Sequence, residues 1–368
     1  MADRKLATIR RVSEVHDIPN KDRIGLAQID GWTVIVQKSD IHAGDLVVFC
    51  EIDSVLPDAE WCSFLKDHRI RTMKMAGCLS QGIAFPLSIL PPGVTLEEGT
   101  DVTDILNITK WECPDVTDVR ELPTASSKKK YPKWLLRMLR KPMFRSWLGK
   151  WLLNSKERRG WPEFLSKTDE TRIQNAPFYL DQDQKWVVTE KIDGQSGSFA
   201  VKRNPKKLFR KQTFETFVCS RNVRLGKPDN SSYWRVWKKY DIESHLTALC
   251  QLLDCEWVAI QGECIGPGVQ GNKYKVTEPD LYVFNFITSR DGRWATGDGE
   301  ALLVPLGFKW VPIIGVKYLP KTVEEMLEMA HGESAIGDTL REGLVCRTLD
   351  GKQSFKAVDP EFLIHYGE

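Results

Sequence analysis

Between residues 126 and 160 the chain carries twelve lysines and arginines against a single glutamate, a net of +11 in 35 residues. Four separated aromatics, Trp134, Phe144, Trp147 and Trp151, interrupt the basic run. Such a block cannot enter a hydrophobic core, because most of its cations would be desolvated without partners. It therefore divides the 368-residue chain into an N-terminal and a C-terminal folding part, in line with a length prior of about two domains. Pro132, Pro142 and the Ser126-Ser127 pair mark it as an inter-domain segment with one or two amphipathic helices. Its cations and rings could neutralise phosphates and stack on bases or lie on an anionic membrane surface. They could equally pack a Trp/Leu face on a neighbour with the charges in water.

The flanking parts are acidic. Residues 1–120 hold 13 Lys/Arg and 19 Asp/Glu, a net of −6, and residues from 161 onward hold 27 against 29. No apolar run approaches the ~18 residues of a membrane helix, and MADRKLATIRR lacks the apolar stretch of a secretory signal. Nine cysteines form no CxxC pair, and six histidines form no HExxH or HxxxH. A disulfide framework and a Cys/His zinc site are thus not expected, and an intracellular protein, cytoplasmic or nuclear, is.

Residues 1–120 read as short strands closed by turns at roughly ten-residue intervals: LATIRRVSEV, RIGLAQIDGWTVIVQ, DLVVFCEIDSVLP. Asp30-Gly31 between two β-rich runs predicts a type I′ hairpin turn. The pattern predicts a small OB-like β-barrel, with residues 121–162 as the basic linker and 163–368 as an α+β domain on antiparallel sheets. Within that domain WVVTEKIDGQSGSFAV reads as two strands joined at a tight turn. Asn230 to Asp254 reads as one helix capped by Asn230 or Ser231. Thr322-x-x-Glu325 reads as a capping box opening a short helix.

The chemistry concentrates in the C-terminal part. Lys191-Ile192-Asp193-Gly194 places a lysine at a strand end before a turn. As a nucleophile that amine must be neutral, which costs about 4 kcal/mol relative to an ordinary lysine of pKa ~10.4 if it is to titrate near 7. Nearby cations and partial burial supply such a shift. Downstream follow Ser220-Arg221-Asn222, Gly262-Glu263, Tyr282-Val283-Phe284, Glu342-Gly343-Leu344-Val345 and Phe355-Lys356. Together they provide what adenylyl transfer demands: an amine, cations for a triphosphate, acids for a divalent metal and an aromatic face for a purine.

In order and spacing, EKIDGQS, SRN, GECIG, LYVFNF, EGLVCR and SFKAV resemble motifs I, Ia, III, IV and V of the covalent nucleotidyltransferases. Only 12 residues follow Lys356, and the OB-like part comes first. That arrangement resembles the Deinococcus/Naegleria type of ATP-dependent RNA ligase, as do LAQIDGWTVIVQ, GDLVVFCEIDSVLP and TDETRIQN.

The resemblance implies an antiparallel-sheet nucleotidyltransferase domain preceded by the barrel, acting as a monomer on RNA with 3′-OH and 5′-phosphate ends, such as a nicked duplex. It implies ATP and a divalent cation, Mg2+ or Mn2+. Lys191 would become lysyl-AMP, and Lys356 would hold the α-phosphate. Glu263 and Glu342 would hold the metal, Glu342 being catalytic as well. Glu190 would contact adenine, Phe284 stack on it, and Asp193 and Gly194 shape the nucleotide site. Arg221 would touch ribose or the acceptor phosphate, and Arg172 the nucleotide phosphates. Many relatives carry K-x-K in motif V; here Lys356 stands alone, with Ser354 two before and Val358 two after, so either Lys352 takes the second role from the preceding loop or the role is unfilled. A DNA ligase, a capping-type enzyme or an inactive nucleic-acid-binding relative are the competing expectations.

Overall fold

The computed structural model describes residues 4–65, 67–111, 160–206, 211–226 and 228–367. The basic block read as a linker, apart from its last residue, lies outside the described residues. The first strands are β1 (Ala7–Arg11), β2 (Glu14–Ile18), β3 (Lys21–Ile29), β4 (Trp32–Gln37) and β5 (Leu46–Cys50), then β6 (Ser54–Val55), β7 (Thr72–Met75), β8 (Cys78–Gln81), β9 (Ile83–Pro86) and β10 (Thr109–Lys110). After the block come β11 (Trp186–Lys191), β12 (Gln195–Arg203), β13 (Phe214–Cys219), β14 (Trp257–Ile265) and β15 (Asp280–Thr288). The last are β16 (Gly292–Arg293), β17 (Lys309–Trp310), β18 (Ile313–Lys317), β19 (Gly343–Thr348) and β20 (Ser354–Val358). The helices are α1 (Ser232–Lys239), α2 (Ile242–Leu252), α3 (Thr296–Leu303), α4 (Val323–Ala330) and α5 (Pro360–Tyr366).

Two compact units form. The first comprises the described residues of Met1–Cys113, Asp169–Ile192 and Val311–Glu368. Its N-terminal part is the expected small β structure: a β1-β5-β9 sheet, a β2-β3-β4 meander, a β7-β8 hairpin and a short β6-β10 ladder. Alternating buried positions along β3 and β4 turn Ile29, Trp32 and Val34 into one core with Ile9 and Phe49. Val358, Phe362 and Leu363, from the end of the chain, join that same core. Asp359 caps α5 by accepting a hydrogen bond from Glu361 N, and Pro360 occupies the first turn, where its missing N–H is harmless. Phe362 is fully buried, so Phe362→Ala should cost about 3–5 kcal/mol. A thermal melt checks this, with a loss under about 1 kcal/mol arguing that α5 is peripheral.

The Asp30-Gly31 turn departs from type I′. Asp30 has φ 51°, but Gly31 is not in the left-handed region. The glycine answers a different need. Gly31 N donates to Gln174 O at 3.1 Å, and a Cβ there would lie 2.7 Å from Gln174 Cα.

The other sheet of this unit runs β18-β11-β19-β20, all antiparallel. Trp186, Val188, Leu344, Cys346, Phe355 and Ala357 alternate onto one face and pack with Met326 and Ala330 of α4. The expected Thr322–Glu325 capping box opens α4. The opposite face carries Lys191, Thr189, Val345 and Lys356; Thr189, Val345 and Lys356 face one another across the ladder, and Lys191 lies one step along, opposite Gly343.

The second unit, described over 160–168, 193–206, 211–226 and 228–310, holds a β13-β12-β14-β15-β16 sheet with β17 parallel to β15. The two strands expected to join at Asp193-Gly194 therefore belong to different sheets and form no hairpin. Gly194 is needed because a Cβ would lie 2.5 Å from Cys264 O. The single helix expected over 230–254 is broken into α1 and α2 at Asp241, which is left-handed (φ 42°). Beside the break, the Asp280 carboxylate accepts from Tyr240 Oη and from Lys239 Nζ and so holds the last turn of α1. Ser231 is the N-cap residue of α1, but its side chain makes no capping bond.

Candidate active site

Lys191 ends β11 directly opposite Gly343, the first residue of β19. Only glycine fits there: φ is 151°, and a Cβ would lie 2.2 Å from Ala357 O. That close approach brings Glu342 beside the lysine, and Lys191 Nζ donates to Glu342 Oε2. Both side chains are largely shielded, at 24% and 12% exposure.

Lys356 projects from β20 on the same face, beside Arg172, with which it forms a parallel bridge. Its Nζ donates to Asp169 Oδ1 at 2.8 Å, and its backbone N to Thr171 O at 2.8 Å. Burial is the main reason its pKa falls from 10.5 to about 8; Arg172, Lys191 and Arg4 push the same way, and Asp169 opposes them. A lysine that resists its own charge is poised to gain from an incoming anion.

Arg172 is buried, and only its Nη2 is engaged, donating to Asp53 Oδ2 at 3.2 Å. Its Nε and Nη1 donate to no atom of the described residues. Burial first, and then Arg4, lowers its pKa against the pull of Asp53, Glu51 and Glu342. Asp53 also accepts from Arg69 Nη2 at 3.0 Å, and the Arg69 guanidinium lies 3.4 Å from the centroid of the Trp111 ring. Burial alone would raise the Asp53 carboxyl, yet Arg172, Arg4 and Arg69 outweigh it and hold it below the usual carboxylate value. Nearby, Glu51 accepts from Arg4 Nη2 (2.7 Å), Arg10 Nη2 (2.8 Å) and Asn175 Nδ2 (2.7 Å). Four guanidiniums thus meet Glu51, Asp53 and the exposed Asp30. Arg69 is thus engaged by both Asp53 and the Trp111 ring. Arg71 and Lys74 in turn face Asp67 and Glu361.

Glu190 points to the opposite face of the strand from Lys191. Its carboxylate is buried and accepts from Ser334 Oγ (2.5 Å) and Ala335 N (2.8 Å). An adenine amine would have to share these oxygens, which their remaining lone pairs permit. Lys352 lies in the β19–β20 turn, 81% exposed and paired with Asp350. Lys191 is in register with Gly343 and Val358 at the other end of that hairpin, roughly 20 Å of strand from Lys352. Val358, which holds the second motif V position, is buried in the barrel core.

In the second unit, Asp193 is buried; Lys273 Nζ donates to its Oδ2 at 2.5 Å, and its backbone N donates to Tyr274 Oη at 2.8 Å. Glu263 stands opposite Ser196 and Tyr282, and its Cγ would lie 3.0 Å from a Cβ on Gly194. The ladder slips between Gln261 and Gly262, leaving half-buried Phe284 as the extra residue of a bulge, a device that re-aims a side chain. Arg221 is exposed just after β13. Sequence reasoning missed Asp53, Asp169, Ser334, Lys273 and Tyr274; of these Asp53 and Asp169 carried a signal, lying in the GDLVVFCEIDSVLP and TDETRIQN phrases.

Among the described residues, no three His, Cys, Asp or Glu side chains cluster to hold a metal unaided. A hard divalent cation fits the carboxylates present if phosphate and water complete its shell. Burial raises the Cys50 and Cys346 thiols strongly and pushes Cys219 up to about 12, which makes these three poor nucleophiles. Amine, acid and under-satisfied cations on one face suit nucleophilic attack on a phosphorus.

Comparison with known proteins agrees. An OB-fold domain model matches residues 6–87, and the RNA ligase family model matches residues 184–358. No curated protein matches significantly. Three solved structures of Naegleria gruberi RNA ligase superpose over nearly the whole chain, each at 31% identity. The variant with ATP and Mn has a TM-score of 0.79 and covers 100% of this chain and 99% of its own. The form with PPi has a TM-score of 0.79 and covers 99% of each. A second variant, with AMP and Mn, has a TM-score of 0.78 and covers 98% and 99%.

Proposed function

Since the chain belongs to the RNA ligase family, we propose that Lys191 is the residue it adenylylates and that ATP is the donor. The observation that carries this reading is the contact of Lys191 with Glu342 on the face that also bears Lys356 and Arg172. Lys191 Nζ attacks the ATP α-phosphorus, an N–P bond forms, and pyrophosphate leaves with the bonding electron pair. The protons of the lysine ammonium go to solvent, with Glu342 fixing the amine in line. Lys356 binds the α-phosphate and Arg172 the outer phosphates. Glu342 and Glu263 are the carboxylates that would hold a divalent cation, Mg2+ or Mn2+, which would supply positive charge to offset that on the phosphate. Phe284 stacks on adenine, Glu190 contacts it, and Asp193, Gly194 and Arg221 complete the nucleotide and acceptor contacts.

AMP then passes to an RNA 5′-phosphate, and a 3′-hydroxyl displaces it to form the phosphodiester. The nicked duplex as substrate, a monomeric enzyme and the boundaries 1–120, 121–162 and 163–368 belong to the same proposal. Among the described residues no helix is long and apolar enough to cross a membrane.

Intact-mass measurement after incubation with ATP and Mg2+ or Mn2+ tests the reading. One added adenylyl group, released by acid and hydroxylamine, is expected. An unchanged mass, or a guanylyl adduct from GTP, would overturn it. Sealing of RNA against DNA nicks then separates the two ligase classes.

A further inference from the structure

We propose that Asp53, a residue of the N-terminal barrel, is a positioning residue for adenylylation that presents the open side of Arg172 to the ATP phosphates. This inference rests on the ligase reading.

Asp53 is itself held rigidly. It sits in the left-handed region (φ 68°), its N donates to Ile70 O at 2.9 Å, and its O accepts from Trp111 N at 2.8 Å. A non-glycine residue in that region costs free energy that the surroundings must offset. The reward is a carboxylate fixed against both Arg69 and Arg172.

Arg172 has five N–H donors and no acceptor. The Asp53 contact fixes Nη2, while buried Nε and Nη1 donate to no atom of the described residues. Unsatisfied buried donors are costly unless an occupant completes them. An anionic occupant suits these open donors, because a guanidinium makes its strongest hydrogen bonds to a charged acceptor. It must also be reachable from Lys356, which is bridged to Arg172. A triphosphate fits both conditions.

Motif V offers no second lysine for the leaving pyrophosphate. Val358 fills that position inside the barrel core, and Lys352 lies at the far end of the hairpin. The duty of orienting pyrophosphate thus falls on Arg172, and the barrel acts in the first chemical step through Asp53.

The test uses the full chain and two assays: lysyl-AMP formation against ATP concentration, and ATP-free sealing of a pre-adenylylated RNA nick. Asp53→Asn keeps the shape and removes the charge. It should raise the KM for ATP or slow adenylylation about tenfold while leaving pre-adenylylated sealing within about twofold. In an Arg172→Ala background the Asp53→Asn effect should vanish, because both changes remove one interaction. An equal fall in both assays, or effects that simply multiply, would overturn the proposal. If Asp53→Asn does not fold, Asp53→Glu, which moves the charge by one methylene, should show the same split between assays. A wild-type chain that never forms lysyl-AMP would instead refute the ligase reading.

Discussion

Lys191→Ala takes up no AMP from ATP, and its adenylylation falls by a factor on the order of 10^3 or more, because the substitution removes the atom that forms the covalent bond. Sealing of a pre-adenylylated RNA nick should survive in part. That reaction makes its new bond to a 3′-hydroxyl and none to Lys191. The split separates loss of the nucleophile from loss of the fold, which would abolish both reactions together. Lys191→Arg should fail in the first reaction as completely as alanine, since a guanidinium stays protonated and is no nucleophile. Glu342→Ala is a different lesion: the amine remains but loses the group that aims it. It should retain traces of adenylylation that Lys191→Ala lacks. A Lys191→Ala protein that gains an adenylyl group would show that another residue is the nucleophile.

What could be read from the sequence was what depends on near neighbours along the chain. Alternation in β3 and β4, turn residues around the barrel strands and the Thr322–Glu325 box are local signals, and each marks its element. Lys191, Glu342 and Lys356 stood out as candidates because covalent nucleotidyl transfer needs those residue types in that order.

The remainder was set by contacts distant in the chain. Asp53 and Arg172 lie 119 positions apart, and nothing in VFCEIDSVLP announces that its aspartate will hold an arginine. Gly31 is glycine because Gln174 crosses over it, which an Asp-Gly pair alone reads as turn chemistry. The helix break at Asp241 lies beside the Asp280 contact with Tyr240, and the periodicity of α1 and α2 continues past it. Similarly, Val358 reads as a missing lysine in the motif and as an ordinary core residue in the fold. The same position serves the barrel's packing, which explains why it could not also carry a charge toward the nucleotide.

Lys356 carries the second large effect, and it divides activity from stability. Its pKa falls from 10.5 to about 8 chiefly through burial, so the fold disfavours the charged lysine that phosphate binding requires. The contribution to stability is neutral above about pH 10.5, where the amine is uncharged both folded and unfolded. It becomes unfavourable as the pH falls toward 8, and below that it costs on the order of 3 kcal/mol. Lys356→Met keeps the apolar stem and removes the charge, while Lys110 remains 3.3 Å from Asp169. At pH 7 this variant should therefore melt no lower than the wild type, and any advantage should shrink as the pH approaches 10. Its adenylylation should nevertheless fall by about 10^2 to 10^3, the usual loss when one donor to a developing anion is removed. The wild-type rate should decline above about pH 8 at low ATP as Lys356 loses its proton. Saturating ATP should move that limb upward, because bound phosphate favours the protonated amine. Lys356→Arg, permanently charged, should lack the limb altogether. If the arginine variant keeps the same alkaline decline, another group titrates there; if the methionine variant melts well below the wild type, the buried charge is stabilising after all, and the balance between Lys356 and its cationic neighbours runs the other way.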